Sequence, residues 1–309
     1  MNELEHAIIY EPEKGTPIIG AVQIVHGMAE HQKRYAELAN FLSSNGYVVV
    51  TSDLRGHGDN IKQENELGYF GDNAVNHLIG DIHEITLYIR DKYKGVPYML
   101  LGHSMGSLIS TVYFKKYDNF VDGLFLSGLP SDNSSKGAAK ILIKATEALK
   151  GEYYRSPFIN NLCNGPFAKP FRKEGSEFAW LATDPEVYRK YEQDPKCGFI
   201  FTLNGFYTLM EIMENTYSTG SWIKKNLNVP VRLMSGSDDP CMGNRSKFMK
   251  SVALFKKQGY TNVSYVIYEG QRHEIFNDTE KKTAMNDLLR EFNQIVAKKN
   301  IEDSEDMNE

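Results

Sequence analysis

The chain has 309 residues, which is long enough to bury a large core in one domain or in two modest ones. Its 40 acidic and 35 basic residues give a formal net charge of -5, so there is no overall basic field to attract nucleic acid. The N-terminus lacks the basic start and apolar centre of a signal peptide, and no run of residues is apolar enough to cross a membrane. We therefore expect a cytoplasmic protein that binds no nucleic acid.

The first half of the chain alternates strand-like runs with helical patterns. The strand-like runs are rich in β-branched or aliphatic residues and lie at residues 21–25, 47–51, 98–101 and 124–127. Between them, apolar residues recur at helical spacing over residues 35–44, 75–89 and 108–117. This alternation predicts an α/β fold with a mostly parallel, doubly wound sheet that is covered by helices on both faces.

The pattern changes after Pro130, where a long stretch of small, aromatic and charged residues precedes the next strand-like run. Strand, helix, strand and helix patterns then follow at residues 231–235, 245–259, 263–268 and 283–297. We predict a discontinuous core over residues 1–129 and 227–300, with a helical cap inserted at residues 130–226. Residues 301–309 carry five acidic side chains and are expected to be a frayed, disordered tail.

The GHSMG motif at residues 102–106 directly follows the strand-like run 98–101 and precedes a helical pattern. A serine in this position lies at the tip of a sharp strand-to-helix turn, and the flanking glycines allow the strand and the helix to approach closely. The motif therefore predicts that Ser104 is a nucleophile with an accessible hydroxyl.

Serine needs a general base, and that base needs an orienting carboxylate. The loop after residues 231–235 contains Asp238 and Asp239, and the loop after residues 263–268 contains His273. The resulting order of serine, acid and histidine is the order found in α/β-hydrolases. Each residue alone could be a turn former or a solvated side chain, but the three in order, each after its strand, predict a catalytic triad.

An acyl-transfer site also needs two fixed N–H donors for the charge that develops on the carbonyl oxygen. One comes from the residue after the nucleophile, which is Met105, and the other comes from the loop after an earlier strand. The loop after residues 21–25 carries Met28. We therefore predict an oxyanion hole made by the backbone N–H groups of Met28 and Met105.

Several motifs together resemble the monoacylglycerol lipase and lysophospholipase branch of the α/β-hydrolases. They are HGMAEH with Arg-Tyr at residues 26–35, DLRGHG at 53–58, GHSMG at 102–106 and Arg-His-Glu at 272–274. The resemblance covers nearly the whole chain, including a lid region at Trp180-Leu181. It implies Ser104, Asp239 and His273 as the triad, with Asp238 as the alternative acid.

Two departures from the family pattern concern loops and not catalytic groups. Ser107 replaces a frequent glycine and could tighten the helix after the elbow, and Asp59-Asn60 replaces small residues and could alter a loop contact.

The sequence predicts no metal and no organic cofactor. The cysteines Cys163, Cys197 and Cys241 are widely spaced, form no CxxC pair and are expected to be buried free thiols. The histidines and glutamate of residues 26–31 lack a zinc-motif spacing, so His26 is expected to fix a loop by hydrogen bonding. The GHG sequence at residues 56–58 lacks the third glycine of a dinucleotide fingerprint.

The predicted cap is rich in aromatic and other apolar residues, which suit either a lid over an acyl pocket or a small helical core. We predict a serine hydrolase for small-molecule acyl esters, with monoacylglycerol or lysophospholipid as candidates and with transient contact between the cap and lipid aggregates. A hydrolase of small soluble esters, thioesters or amides is the alternative within enzymes. A non-catalytic binding protein on a hydrolase fold is the alternative from another class.

Overall fold

The computed structural model describes residues 4 and 6–306. Within that part of the chain, the strands are β1 (Ala7–Tyr10), β2 (Gly20–Val25), β3 (Tyr47–Ser52), β4 (Tyr98–His103), β5 (Gly123–Ser127), β6 (Val231–Gly236) and β7 (Val263–Tyr268). They form one sheet in the order β1-β3-β2-β4-β5-β6-β7. Only the β1–β3 pair is antiparallel. The predicted mostly parallel α/β fold is thus confirmed.

Helices connect and cover the strands. The α-helices are α1 (Ala36–Ser43), α2 (Ala74–Lys92), α3 (Met105–Tyr117), α4 (Lys136–Lys150), α5 (Pro157–Ala168), α6 (Pro185–Gln193), α7 (Leu203–Tyr217), α8 (Arg245–Lys257) and α9 (Lys281–Asp306). Short 3-10 helices lie at Gln32–Tyr35, Glu64–Glu66, Asp118–Phe120, Lys169–Glu174, Ala179–Leu181 and Pro240–Met242.

The central strands are buried on both faces, which explains their nearly continuous apolar sequences. Every residue of β2 and of β4 is buried. Successive side chains alternate between two cores, so Leu100 packs with helices α2 and α3, whereas Met99 and Leu101 pack with α1 and α9.

The edge strand β1 was not predicted from the sequence. It is only four residues long, all of its residues are half-buried, and it pairs with β3 alone. A short edge strand of this kind carries neither a buried apolar run nor a clear alternation, so its pairing depends on the neighbouring strand.

The segment between β5 and β6 contains α4 to α7 and no strand. Its helices differ in burial, since α7 packs against α3 and joins the main core, whereas Ile143 is the one buried residue of α4. The division of the chain into a core and a cap at residues 130–226 stays a prediction.

The acidic C-terminal segment differs from the expected frayed tail. Helix α9 continues to Asp306, so residues 301–306 are helical, and residues 307–309 lie outside the described residues. An ion pair between Lys298 and Glu302, one helical turn apart, contributes to this extension. In the part of the chain that the structure describes, no helix combines the length and apolarity of a membrane span.

The carboxyl ends of the parallel strands meet at one edge of the sheet, where α/β proteins place their ligand sites. The loops that carry Met28, Ser104, Asp239 and His273 follow β2, β4, β6 and β7. The fold therefore assembles the four loops that the sequence singled out.

Candidate active site

Ser104 occupies the turn between β4 and α3. Its backbone has φ 52° and ψ -120°, a conformation that costs a non-glycine residue about 1–3 kcal/mol. Gly106 packs so closely that a Cβ there would collide with the carbonyl oxygens of Val25 and His26. This is the strained elbow that the GHSMG motif predicts, and it leaves Ser104 only half-buried.

The carbonyl oxygen of Ser104 is held by Ser107, the residue that departs from the family pattern. The hydroxyl of Ser107 donates to it at 2.5 Å, and the backbone N–H of Ser107 donates to it at 2.9 Å. The backbone N–H of Ser104 in turn donates to the carbonyl of Ser127 on β5 at 2.9 Å. The elbow is therefore fixed from both sides.

His273 and Asp239 form a buried pair in the loops after β7 and β6. Nδ1 of His273 lies 3.0 Å from each carboxylate oxygen of Asp239. The carboxylate also accepts the backbone N–H of Cys241 at 2.8 Å and the hydroxyl of Ser235 at 3.2 Å. Asp238 is exposed and hydrogen-bonds Ser237 instead, so Asp239 is the carboxylate that contacts the imidazole.

The pKa values of the pair follow from this contact. Burial alone would lower the pKa of His273, but the adjacent Asp239 carboxylate raises it well above its ordinary value. Burial would raise the pKa of Asp239, and the positive charge and hydrogen bond of His273 bring it below its ordinary value instead. The pair therefore favours an ionised carboxylate beside an imidazole that readily takes up a proton.

The other ring nitrogen of His273 is free to act on a substrate or a nucleophile. Nε2 is buried and makes no hydrogen bond to any residue in the described ranges, Ser104 included. Both Ser104 and His273 line the same cavity. The structure thus brings the serine and the histidine to one site without a hydrogen bond between them, as is common in sites without bound substrate.

Met28 and Met105 line the same cavity. Met105 is the first residue of α3, where N–H groups lack helical partners. On either side of Met28, the N–H of Gly27 donates to Glu30 Oε1 at 2.5 Å, and the N–H of Ala29 donates to His57 Nε2 at 3.2 Å. Among residues 4 and 6–306, neither methionine N–H has a protein acceptor.

His26 fixes the loop that carries Met28, as the sequence predicts. Its Nε2 accepts the backbone N–H of Leu54 at 2.9 Å, which leaves the proton on Nδ1, 2.9 Å from the carbonyl of Gly27. Burial lowers the pKa of His26, so the ring stays neutral and keeps this tautomer.

The cavity above Ser104 has a volume of about 1060 Å³. Its wall is mostly apolar and comes largely from the segment between β5 and β6. The aromatic and apolar residues that line it include Phe167, Phe178, Trp180, Phe199, Leu209, Met210 and Met213. Phe201 and Phe206 are buried in the core instead, and Phe158 is exposed. The segment therefore provides both a pocket wall and part of the hydrophobic core.

Comparison with known families identifies the family of this chain. The sequence model of a family described as Hydrolase_4, serine aminopeptidase S33, matches residues 16–280. The chain belongs to the Hydrolase_4 family.

Curated relatives of this Hydrolase_4 chain include several monoacylglycerol lipases. The "Monoglyceride lipase homolog" of Monkeypox virus is 27% identical over 269 residues, covering 86% of this chain and 87% of the relative. The "Monoacylglycerol lipase" of Mycolicibacterium smegmatis is 25% identical, covering 87% and 86%. The "Monoglyceride lipase" of Homo sapiens is 25% identical, covering 94% and 86%.

Solved structures agree with the fold. A carboxyl esterase from Bacillus coagulans in complex with glycerol superposes with a TM-score of 0.86 over 94% of both chains at 24% identity. A structure described as "Lipase (Open form)" has a TM-score of 0.83, with 25% identity and 94% coverage of both chains. This Hydrolase_4 chain is an α/β-hydrolase of the monoglyceride lipase branch and a serine hydrolase of the lipase and esterase type.

The Hydrolase_4 site contains a buried charge network to which sequence reasoning assigned no role. Arg34 donates to Glu30 at 2.5 Å and makes two hydrogen bonds, of 2.6 and 2.7 Å, to Glu274. Burial would raise the pKa of Glu30, but Arg34 lowers it to about 2. Because Glu30 holds the loop of Met28 and Glu274 follows His273, Arg34 links the oxyanion loop to the histidine loop.

A second connection joins the histidine loop to residues 174–182. The guanidinium of Arg272 donates to the carbonyls of Ala179 and Ala182 at 2.6 and 2.9 Å and pairs with Glu174. The Trp180 ring lies 4.9 Å from the His273 ring, centroid to centroid. The resemblance motif contained Arg34, Arg272 and Glu274, but their partners are distant in sequence.

Cys241 is the third potential ligand beside Asp239 and His273, and the three could in principle surround a metal ion. His273 and Asp239 are hydrogen-bonded to each other there. Burial raises the pKa of Cys241 to about 11, so its thiol is neutral at pH 7 and is a poor nucleophile.

Proposed function

We propose that this protein hydrolyses carboxylic esters of acyl lipids, with monoacylglycerol or lysophospholipid as the substrate, through Ser104, His273 and Asp239. The observation that carries the proposal is the His273 imidazole, whose Nδ1 is bound by Asp239, while Nε2, in the cavity that Ser104 also lines, has no partner among the described residues. The names of the curated relatives support the lipid ester as the substrate.

In the first half of the reaction, the Ser104 oxygen attacks the ester carbonyl carbon and its proton moves to His273 Nε2. Asp239 keeps the other imidazole proton on Nδ1 and stabilises the positive charge of the ring. The negative charge on the carbonyl oxygen is met by the N–H groups of Met28 and Met105. The ester C–O bond then breaks, and the leaving alcohol takes the proton from Nε2.

In the second half, water replaces the alcohol. His273 takes a proton from water, the resulting hydroxide attacks the acyl-enzyme, and the proton returns to the Ser104 oxygen as the fatty acid leaves. These steps balance with water as the only co-substrate.

The cavity supports an acyl chain as the part of the substrate that is recognised. Each methylene group that moves from water into an apolar wall contributes about 0.8 kcal/mol. A cavity of about 1060 Å³ with aromatic and methionine walls can hold a medium or long chain.

Transient contact with lipid aggregates forms part of the proposal. Helices α4 and α5 expose large apolar side chains to solvent: Ile141, Leu149, Phe158 and Leu162. Exposed apolar side chains of this size can contact another apolar surface, such as that of a lipid aggregate. Since residues from both helices line the cavity, a lipid surface on this side would deliver substrate to it.

A cytoplasmic site of action is also proposed. It is supported by the three cysteines, which are all free thiols within the described residues, as is usual in a reducing compartment.

Two experiments test the proposed function. A fluorophosphonate probe should label the wild type and should not label Ser104→Ala, and a folded wild type that fails to react would favour a non-catalytic binding protein. A series of p-nitrophenyl esters should give kcat/KM values that rise from acetate to octanoate. A maximum at acetate would favour the small-ester hydrolase instead.

A further inference from the structure

A cluster of potential metal ligands lies outside the triad, where the chain after α6 contacts the loop of Met28. A ring nitrogen of His31, a carboxylate oxygen of Asp194 and Sγ of Cys197 all lie within 4.8 Å of one another. In the structure, His31 Nε2 and Asp194 Oδ2 form a 2.8 Å hydrogen bond. Nothing in the proposed hydrolysis uses these three groups.

We propose that His31, Asp194 and Cys197 form a binding site for one divalent transition-metal ion of the Zn²⁺ type. Imidazole nitrogen, carboxylate oxygen and thiolate sulfur are the three ligand types that Zn²⁺ takes in proteins. With three protein ligands, the fourth tetrahedral position is left for water.

The geometry needs only small movements to accept the ion. Zinc lies about 2.3 Å from sulfur and about 2.0–2.1 Å from nitrogen or oxygen, which places tetrahedral ligands roughly 3.3–3.6 Å apart. The His31–Asp194 pair, now at 2.8 Å, therefore opens as the ion enters, and no pair of ligand atoms has to close by more than about 1.5 Å.

Backbone contacts already orient two of the ligands. Oδ1 of Asp194 accepts the backbone N–H of Lys196 at 2.8 Å, so Oδ2 is the oxygen that faces His31. The backbone N–H of Cys197 donates to the carbonyl of Asp194 at 2.9 Å, which closes a tight turn. This turn presents a carboxylate and a thiol to the same point, and such outer contacts strengthen metal sites.

The surrounding charges do not oppose a dication. Arg34 is neutralised by Glu30 and Glu274. The nearby Lys33 and Lys196 are both paired with Asp59.

Metal binding at this cluster releases a proton. The Cys197 S–H bond breaks, its proton goes to solvent, and the sulfur forms the bond to the metal. His31 donates from Nε2 to Asp194 before the metal enters, so this proton moves through solvent to Nδ1 and Nε2 then binds the metal. Because the thiol must lose its proton to bind the metal, metal affinity should increase as the pH rises.

The ion would join two parts of the chain that already touch. The backbone N–H of Gly198 donates to the carbonyl of Ala29 at 2.9 Å, and the Tyr191 hydroxyl donates to the same oxygen at 2.7 Å. Ala29 follows Met28, so the metal would tie the chain after α6 to the proposed oxyanion loop. A ligand that binds only the folded state should also raise Tm.

The test is a titration of the metal-free full-length protein with Co²⁺, whose thiolate complexes give a charge-transfer band in the near ultraviolet. We expect one equivalent to bind with this band, Zn²⁺ to displace it, and Cys197→Ala to abolish it. Cys241→Ala and Cys163→Ala are the matched thiol controls and should keep the band.

Asp194→Asn keeps the test decisive if Cys197→Ala does not fold, because Asp194 is partly exposed and its side chain is replaced by one of equal size. This variant should bind Co²⁺ at least about tenfold more weakly, since even the loss of an outer-shell partner costs that much. The proposal is overturned if the wild type binds no Co²⁺, or if Cys241→Ala and not Cys197→Ala loses the band.

Discussion

The carboxyl edge of the sheet differs from the exposed outer face of helices α4 and α5 in the burial and pairing of its side chains. At the sheet edge, His273, Asp239, Glu30 and Glu274 are buried, and each has a specific partner. On the outer face, Leu149 and other apolar side chains are exposed without one. The contrast suggests that the sheet edge fixes the chemistry, whereas the outer helices determine which substrate reaches it.

The largest effect should come from the sheet edge at Ser104. Ser104→Ala removes the proposed nucleophile and should lower kcat by roughly 10⁶-fold, because no other group can form the acyl-enzyme. Ester hydrolysis and Tm measured on the same preparation test this. Ser264→Ala, at an exposed position of β7, is the control and should keep full activity. Residual turnover above a few per cent would contradict the role of Ser104.

Asp239→Asn should lower kcat about 10⁴-fold, since the imidazole loses its orienting acceptor. It should also change the pH profile. Only neutral His273 can accept the serine proton, so wild-type kcat/KM should rise as the pH increases through the raised pKa of His273.

Without the carboxylate, burial should lower this pKa, and the rise of kcat/KM should move to lower pH. Kinetics from pH 5 to 9 provide the measurement. Asp238→Asn, an exposed neighbour, is the matched control and should leave both kcat and the profile unchanged.

Arg34→Ala tests how strongly the buried network of the sheet edge depends on its cation. It leaves Glu30 and Glu274 buried without their partner, which should reduce the free energy of unfolding by about 3–5 kcal/mol. Arg55→Ala is the comparison, because Arg55 pairs with Asp81 in a half-exposed position and should cost about 1 kcal/mol or less. The measurement is urea denaturation of both variants. Equal losses in the free energy of unfolding would contradict the expected difference between the buried and the half-exposed ion pairs.

The smallest effect should come from the outer face. Leu149→Glu places a charge on the exposed apolar region and should weaken binding to phospholipid vesicles about tenfold, the value of one buried leucine. Its kcat/KM for a short soluble ester should not change. Leu87→Glu, an exposed leucine on α2, should have no effect on vesicle binding. If Leu149→Glu and Leu87→Glu lost the same amount of vesicle affinity, the exposed side chains of α4 and α5 would have no specific role in lipid binding.

The parts of the fold that could be predicted are those encoded locally. The strand β4, the glycine-flanked Ser104 and helix α3 follow one another in sequence, so one short motif reports all three. The loops of Asp239 and His273 were predictable because each directly follows a strand-like run of mainly β-branched or aliphatic residues.

The rest depends on contacts between distant segments. Arg34 and Glu274 are 240 residues apart, and His31 and Asp194 are 163 apart, so no spacing rule joins them. Strand β1 needs the edge of β3 to pair with, and the acidic end of α9 is helical because it continues a long helix. The acidic composition of residues 301–309 predicted a frayed tail there instead.

Arg272 has a mechanical consequence. It immediately precedes His273, and its guanidinium is attached to the carbonyls of Ala179 and Ala182. An outward swing of that stretch must either break these bonds or drag the imidazole out of line. Product release past this stretch and the return of the imidazole to its position would then be coupled. A compound that holds residues 179–182 in an outward position would lower activity without contacting Ser104.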